Sequence, residues 1–293
     1  MSLMRPSLLA ALAAATVLTA CGGGDGGTGF QEPASPESLR AEGGWVGSLT
    51  GGTYSSVHVL VLDNDQAWAI YGTDVPSSST TTPPPPPLLA IHGFVQANGV
   101  SKNGVYTATD AKDFGIAAPT DTTVAIKYVQ GAYIKGVDGA VSLDAMPWAL
   151  DVEDSTAVPV YDYDTAAAQT DVSGSWVVRG SDGDDYTLAI GTQGTLSGYS
   201  SGCAVTGAMT PRLSGKNAFD LTLQFGAAPC KNPNVTFTGV AYLEPHQLTI
   251  GTNTVAGNQL IGVGVNADRT KGFAITAAYS SDRTQGITVL NSF

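Results

Sequence analysis

This sequence predicts an all-β protein, built as two tandem antiparallel up-and-down β-barrels or barrel-like sandwiches. Three observations carry that expectation. Short apolar runs alternate with polar residues and recur at roughly ten-residue spacing between Gly, Asn and Asp turn signals. The composition fits as well, with 36 Gly in 293 residues, 43% hydrophobic and only 13% charged residues. Finally, two segments open alike, Gly44-Trp45-Val46-Gly47 and Gly174-Ser175-Trp176-Val177, with their tryptophans 131 positions apart. A diverged duplication would produce such a pair.

Residues 1–20 read as an export leader. Arg5 supplies a basic n-region, and Leu8 to Leu18 form an apolar run too short to hold a bilayer as a stable span. A start at Met4 would leave a shorter, more usual n-region. Leu18-Thr19-Ala20-Cys21 follows, and it resembles the lipobox of bacterial lipoproteins: an aliphatic residue, two small residues, then the cysteine that is diacylated before cleavage. The resemblance makes Cys21 the lipidation site, and two or three acyl chains anchor where one would bind reversibly. The rival reading is an ordinary secretory signal cleaved after Ala20, with Cys21 free. Residues 21–42 begin Cys21-Gly22-Gly23-Gly24-Asp25 and form a flexible tether. In lipoprotein sorting, a Gly after the acylated cysteine is compatible with transfer to the outer membrane, whereas an Asp there suggests inner-membrane retention.

The first β domain is expected over residues 43–161. Its strands fall at 55–62, 66–71, 88–96, 104–109, 123–129, 132–137 and 140–144, separated by Asp63-Asn64-Asp65, Asn98-Gly99, Asn103-Gly104 and Asp138-Gly139. The last of these, between two alternating runs, is a strong hairpin signal. Thr80-Thr81-Thr82 and the prolines at 83–87 interrupt the domain and cannot join a ladder. They read as a stiff exposed polyproline II loop, with partner docking as the alternative. Residues 162–172 carry no β pattern and read as a linker.

The second β domain covers residues 173–293. Strands are expected at 176–179, 186–191, 195–199, 204–209, 219–225, 235–243, 247–251, 259–265 and 272–278. Tight turns between consecutive strands suggest a meander closing on itself, which hides sheet edges.

Several residues invite a chemical reading. Cys203 and Cys230, 27 positions apart, are expected to pair, because two cysteines of an exported protein usually do. That bridge would contribute roughly 3–4 kcal/mol by chain entropy. A redox or metal pair is the alternative, but no Cys-x-x-Cys or neighbouring His supports it. Gly198-Tyr199-Ser200-Ser201-Gly202 matches a nucleophile-elbow pattern, yet the elbow needs a strand-to-helix turn and this segment runs on into Cys203. His58 sits in an alternating strand as a surface or barrel-lining residue, His92 lies in another strand, and His246 follows Pro245 in an expected turn. A two-histidine metal site from His58 and His92 is the functional alternative. Asp63-Asn64-Asp65, Asp182-Gly183-Asp184-Asp185 and Asp151-Val152-Glu153-Asp154 suit turns, with Ca²⁺ binding as the alternative, although none has the spacing of a calcium loop. Trp45, Trp68, Trp148 and Trp176 read as core and barrel-end residues, with a ligand cavity lined by Trp176 and Tyr186 as the alternative.

Two resemblances remain. Gly174-Ser175-Trp176, Tyr186-Thr187-Leu188-Ala189-Ile190 and Gly194-Thr195-Leu196-Ser197-Gly198-Tyr199 resemble the opening of calyx barrels such as lipocalins and avidins, where a first-strand tryptophan packs the barrel floor. The resemblance implies architecture and no ligand residue. More broadly, the lipobox, the Gly-rich tether, the Gly-Trp domain and the Ser201-Gly202-Cys203…Cys230 pattern resemble a set of Gram-negative lipoproteins to which no activity attaches.

The net charge of −12 repels phosphate backbones, which argues against nucleic-acid partners. The expectation is a lipid-anchored outer-membrane or envelope lipoprotein with a non-enzymatic structural or interaction role. It needs no cofactor or metal, touches the membrane through Cys21, and meets an envelope or extracellular protein. The alternative is a carrier or receptor for a small apolar ligand or nutrient held in a barrel.

Overall fold

A computed structural model describes residues 41–48, 54–75, 87–102, 105–115, 119–127, 129–130, 135–136, 139–143, 146–150, 161–250, 253–280 and 286–287. Cys21, the tether up to residue 40, most of the Pro run and the acidic stretch at 151–154 lie outside them, while Ala41 at the expected tether's end is buried in the core.

The protein is all-β with almost no helix. An antiparallel sheet of six strands comes first: β1 (Gly43–Ser48), β2 (Ser56–Val61), β3 (Gln66–Val75), β4 (Leu88–Lys102), β5 (Val105–Phe114) and β6 (Thr120–Lys127), each paired with the next. Two short hairpins follow, β7 (Val129–Gln130) with β8 (Lys135–Gly136), and β9 (Gly139–Leu143) with β10 (Met146–Leu150). After α1 (Gln169–Val172) come β11 (Gly174–Gly180), β12 (Asp185–Ile190), β13 (Thr195–Ser200), β14 (Cys203–Pro211), β15 (Phe219–Phe225), β16 (Thr236–Ile250), β17 (Asn253–Val265), β18 (Gly272–Ser280) and the short β19 (Gly286–Ile287). Strands β11 to β18 form an eight-stranded closed barrel: each pairs with its successor, and β11 closes on β18 through Arg179↔Thr276 and Gly180↔Ile275.

Strand periodicity explains the packing. Side chains alternate faces along a strand, and β12 reads exposed, buried, exposed, buried along Asp185–Ile190. Its Tyr186, Leu188 and Ile190 point into the barrel while Thr187 and Ala189 meet solvent. Strands β16 to β18 depart from this rule. Phe237, Ala241, Leu260, Phe273, Ile275 and Ala277 face the barrel interior. Their neighbours Val240, Tyr242, Ile261, Val263 and Ala274 are buried too, against Leu60, Leu62, Trp68, Ile70, Leu89, Ile91 and Phe94 of the sheet. Continuous burial in β17 and β18 therefore marks where the sheet covers the barrel wall. The opposite face of the sheet buries its own core, with Val57, Val59, Ala69, Tyr71, Val95, Tyr106 and Val124 joining one cluster from β2 through β6. Two barrel glycines admit no side chain: a Cβ on Gly239 would lie 2.0 Å from the Val263 carbonyl oxygen, and one on Gly207 1.9 Å from that of Thr222.

The sheet and the barrel open with the same local geometry. Trp45 Nε1 donates to Ala41 O at 3.2 Å, and Trp176 Nε1 donates to Val172 O at 2.7 Å, each four residues back. The next hairpin matches as well. Val61 faces Ala67 in one and Ile190 faces Leu196 in the other. Leu62 N bonds Gln66 O at 2.8 Å, just as Gly191 N bonds Thr195 O at 2.8 Å. Each turn ends on a residue with positive φ, Asp65 at 59° and Gly194 at 80°. Each of those residues then accepts from a later strand, Asp65 O from Gly99 N and Gly194 O from Met209 N. These correspondences fit the duplication that the two Gly-Trp openings suggest.

The tertiary structure corrects two expectations. Asn98-Gly99 is no turn: β4 runs through it, and the register shifts between Asn98 and Val100, leaving Gly99 as a bulge. A Cβ there would lie 2.4 Å from the Tyr106 ring, so only glycine fits. The expected Asp138-Gly139 turn falls on Asp138, which lies outside the described residues; to either side of it β8 pairs with β7 and β9 pairs with β10. Finally, residues 235–243 and 247–251 are not two strands. Strand β16 runs unbroken through Glu244-Pro245-His246. Pro245 is tolerated because β15 pairs only as far as Ala241, so the strand has a ladder on one side alone at that point.

Candidate functional site

The barrel interior is the first place to look for a ligand, and side chains fill it. Eight strands enclose a space that side chains can just occupy. Tyr186, Phe225, Phe237 and Phe273 interlock there, with ring centroids 5.9 Å apart for Tyr186 and Phe225, 4.9 Å for Phe225 and Phe273, and 5.4 Å for Phe237 and Phe273. Tyr186 donates to Asp182 Oδ2 at 2.6 Å, and burial with that carboxylate pushes its phenol above the ordinary range. Trp176 lies at the other end, edge-on to Tyr279 at 5.4 Å. Trp176 and Tyr186 therefore belong to opposite parts of one packed core rather than to a shared cavity.

At the Trp176 end the barrel has a mouth. Strand β11 pairs with β18 only at Arg179 and Gly180 and then diverges; the Tyr279 hydroxyl, 3.0 Å from Val177 N, accepts a hydrogen bond there. A cavity of about 350 Å³ results, with Trp176, Leu243, Pro245 and Tyr279 on its apolar side and Asp162, Asp171, Asn217 and Asn258 around its rim. The rim is partly self-satisfied: Asp162 accepts from Asp164 N and Thr165 Oγ1, and Asp171 accepts from Ala168 N.

A second constellation was hidden from the sequence. Strand β2 places His58 on the face that meets the barrel, alongside Leu60 and Leu62, and β16 places Tyr242, Glu244 and His246 on the opposing face by their spacing of two. His58 Nδ1 lies 3.1 Å from Glu244 Oε2 and 3.2 Å from Tyr242 Oη, and His246 Nε2 lies 3.4 Å from the same Glu244 oxygen. All are buried, with His58 at 5%, Glu244 at 6% and His246 at 1% exposure. Tyr161 packs on Tyr242 with ring centroids 5.1 Å apart. Burial would push the Glu244 carboxyl up, but the two imidazoles hold it well below the usual carboxylate range. Burial would push His58 down, but the Glu244 carboxylate offsets this and holds the imidazole above its ordinary value. Both nitrogens converge on one carboxylate oxygen at ion-pair distance. Among the described residues no group of three such side chains is arranged as a metal site.

The structure does not bring His58 and His92 together as the alternative metal site would need. His58 faces the barrel. His92 lies opposite the register shift of β3 on β4, bonded to Thr73 Oγ1 at 3.1 Å and packed on Tyr54, 5.0 Å away. Burial lowers the His92 imidazole below its ordinary value. His246, expected in a turn, is a core residue of a strand. Sequence reasoning missed Glu244 altogether. The available signal was the Glu-x-His spacing, which puts both side chains on one face once Pro245 is accepted inside a strand.

Ser200 is no elbow nucleophile in this geometry. It pairs with Cys203 across a two-residue turn in which Ser201 and Gly202 both have positive φ, at 45° and 89°. That is a β-hairpin connection, not the strand-to-helix turn the chemistry requires. Cys203 and Cys230 are disulfide-bonded, with Cα atoms 4.6 Å apart. Cys203 begins β14, while Cys230 sits in the loop between β15 and β16, not at a strand end.

Two of the acidic turns use their carboxylates to bind distant parts of the fold. Asp63 pairs with Arg212 at 2.6 Å, Asp65 accepts from Ser101 Oγ at 2.8 Å, and Asp184 pairs with Lys231 at 2.9 Å. Trp45 and Trp68 are buried, as expected of core residues, and the Trp148 side chain lies outside the described residues. No family model matches the chain, and no curated protein or solved structure matches it either.

Proposed function

We propose that this chain is a lipid-anchored envelope lipoprotein, held at the outer membrane through Cys21, whose β region serves a structural or interaction role rather than a catalytic one. The observation that carries the non-catalytic part is the filled barrel. Its interior is occupied by Tyr186, Phe225, Phe237 and Phe273, which leaves its outer surfaces for contact with another protein. The ionisable residues that gather, His58, Glu244 and His246, do so out of contact with solvent. Lipid attachment rests on Leu18-Thr19-Ala20-Cys21 and the Gly-rich stretch behind it. The resemblance to Gram-negative lipoproteins supports the same reading, and the net charge of −12 disfavours nucleic acid as the partner.

The mouth beside Trp176 favours a second reading, a carrier or receptor for a small ligand. Barrel mouths are common ligand sites, and a cavity of about 350 Å³ lies there. Mass spectrometry of protein extracted from its own membrane separates the possibilities. A denatured mass showing acyl chains on a chain beginning at Cys21 supports anchoring, and an unmodified Cys21 defeats it. Additional mass seen only under native conditions supports the carrier reading, while equal native and denatured masses favour the interaction role.

A further inference from the structure

We propose that His58, Glu244 and His246 form a protonation-controlled clasp that fastens the six-stranded sheet to the barrel wall. The geometry places one partner on each side of the joint, His58 on β2 and the Glu244–His246 pair on β16. Around them the joint is apolar, formed by Leu60, Leu62, Trp68 and Ile70 against Val240, Tyr242 and Ile261. An ion pair in such a setting is poor glue, since leucine-like side chains of similar volume would hold as well or better. Its distinguishing property is that its strength depends on where a proton sits.

The groups around it fix the sign. From β16, Glu244, His246 and Tyr242 face His58; Asp74, at the end of β3, adds a more distant negative charge; Tyr161 lies behind Tyr242. His58 is the one residue of this set that the sheet contributes as a cation. Once its proton leaves, the Glu244 carboxylate stays buried and faces the sheet without that charge. A group held above its unfolded value adds stability that is complete below that value and is lost as pH rises through the folded one. The clasp therefore loosens in base. In acid it must lose the Glu244 charge to fail, and that carboxyl is held low, so the joint survives mild acidity.

The test uses the full chain with its disulfide intact and reads the urea unfolding midpoint from about pH 5 to about pH 9.5. The parent midpoint should fall as pH rises above the ordinary imidazole range. The H58Q/E244Q protein should lose most of that fall and give a nearly level profile. If that variant does not fold, the apolar replacement H58L/E244M/H246L is measured instead, and it should fold with a level profile. Equal slopes in parent and variant would overturn the proposal. So would a stoichiometric divalent cation in the purified parent whose removal by chelator reproduces the loss of stability, because the cluster would then be a metal site.

Discussion

The side-chain amide of Gln259 and the backbone of Leu89 exchange two hydrogen bonds, Leu89 N donating to Oε1 at 2.9 Å and Nε2 donating to Leu89 O at 2.8 Å. Nε2 also reaches Thr276 Oγ1 at 2.9 Å. Leu89 pairs with Asp74 on one side, but β5 joins β4 only from Phe94 onward. A side chain of the barrel thus completes an edge of the sheet. Gln259 is 0% exposed, so its loss would strand two buried backbone groups. Gln259→Leu should cost about 2–6 kcal/mol, since each orphaned group costs about 1–3 kcal/mol. Chemical denaturation of the two proteins checks it; a cost below about 1 kcal/mol would show that water replaces the amide.

The disulfide ties β14 to the loop between β15 and β16. Replacing Cys203 and Cys230 together by serine should lower stability by about 2–4 kcal/mol. A melt of the wild-type protein in reductant should approach that of the double variant. Equal melts of all samples would mean the loop is already held by its own hydrogen bonds, such as Asn234 N to Gly226 O at 2.9 Å.

If the barrel is stable because it is full, emptying it should be costly. Phe237→Ala removes a ring stacked on Phe273 at 5.4 Å and 30°. Such a truncation should cost about 3–5 kcal/mol and leave a dry apolar cavity. Small apolar solutes such as benzene should then stabilise the variant and leave the parent's melting temperature unchanged. Stabilisation of the parent as well would reveal space in the native barrel.

The two matched turns make opposite demands on their closing residue. Gly194 has φ of 80°, and a Cβ there would lie 2.3 Å from Thr210 Cγ2 and 2.9 Å from Met209 O. Asp65 occupies the equivalent place at 59° with a side chain already accommodated and bonded to Ser101. Gly194→Asp should therefore destabilise by about 1–3 kcal/mol, the usual cost of backbone strain. Asp65→Gly should cost less, because it relieves an unfavourable φ while losing one hydrogen bond. Thermal melts of the two variants give the comparison, and the reverse ranking would contradict the structural match.

Alkali should act through tyrosine as well. Burial pushes the phenols of Tyr71, Tyr161, Tyr186 and Tyr242 above their ordinary value near 10, aided by Asp113 at Tyr71 and Asp182 at Tyr186. A phenol whose folded value is raised contributes stability below its unfolded value and loses it as pH rises. Ultraviolet titration should show these tyrosines ionising together with unfolding, as one steep step. A smooth titration near pH 10 with the circular dichroism unchanged would mean they are open to water.

Much of the fold was legible because strand periodicity and turn chemistry are local. The alternation of Tyr186, Leu188 and Ile190 with Thr187 and Ala189 states both the strand and its inner face. Signals failed where a distant partner changed the meaning of a local one. Asn98-Gly99 reads as a turn until the Tyr106 ring and Asp65 claim Gly99 as a bulge. Glu244-Pro245-His246 reads as a turn until a one-sided ladder makes room for proline.

The sequence by itself determined an all-β chain, most of its barrel strands, the pairing of Cys203 with Cys230, and the matched tryptophan openings, since each depends on residues near one another or on which types are present. Only the tertiary structure decided that the sheet lies on the barrel wall and that His58 meets Glu244 and His246 there. Those contacts join strands nearly two hundred residues apart, and no local pattern specifies which buried face of one sheet will settle on which face of another.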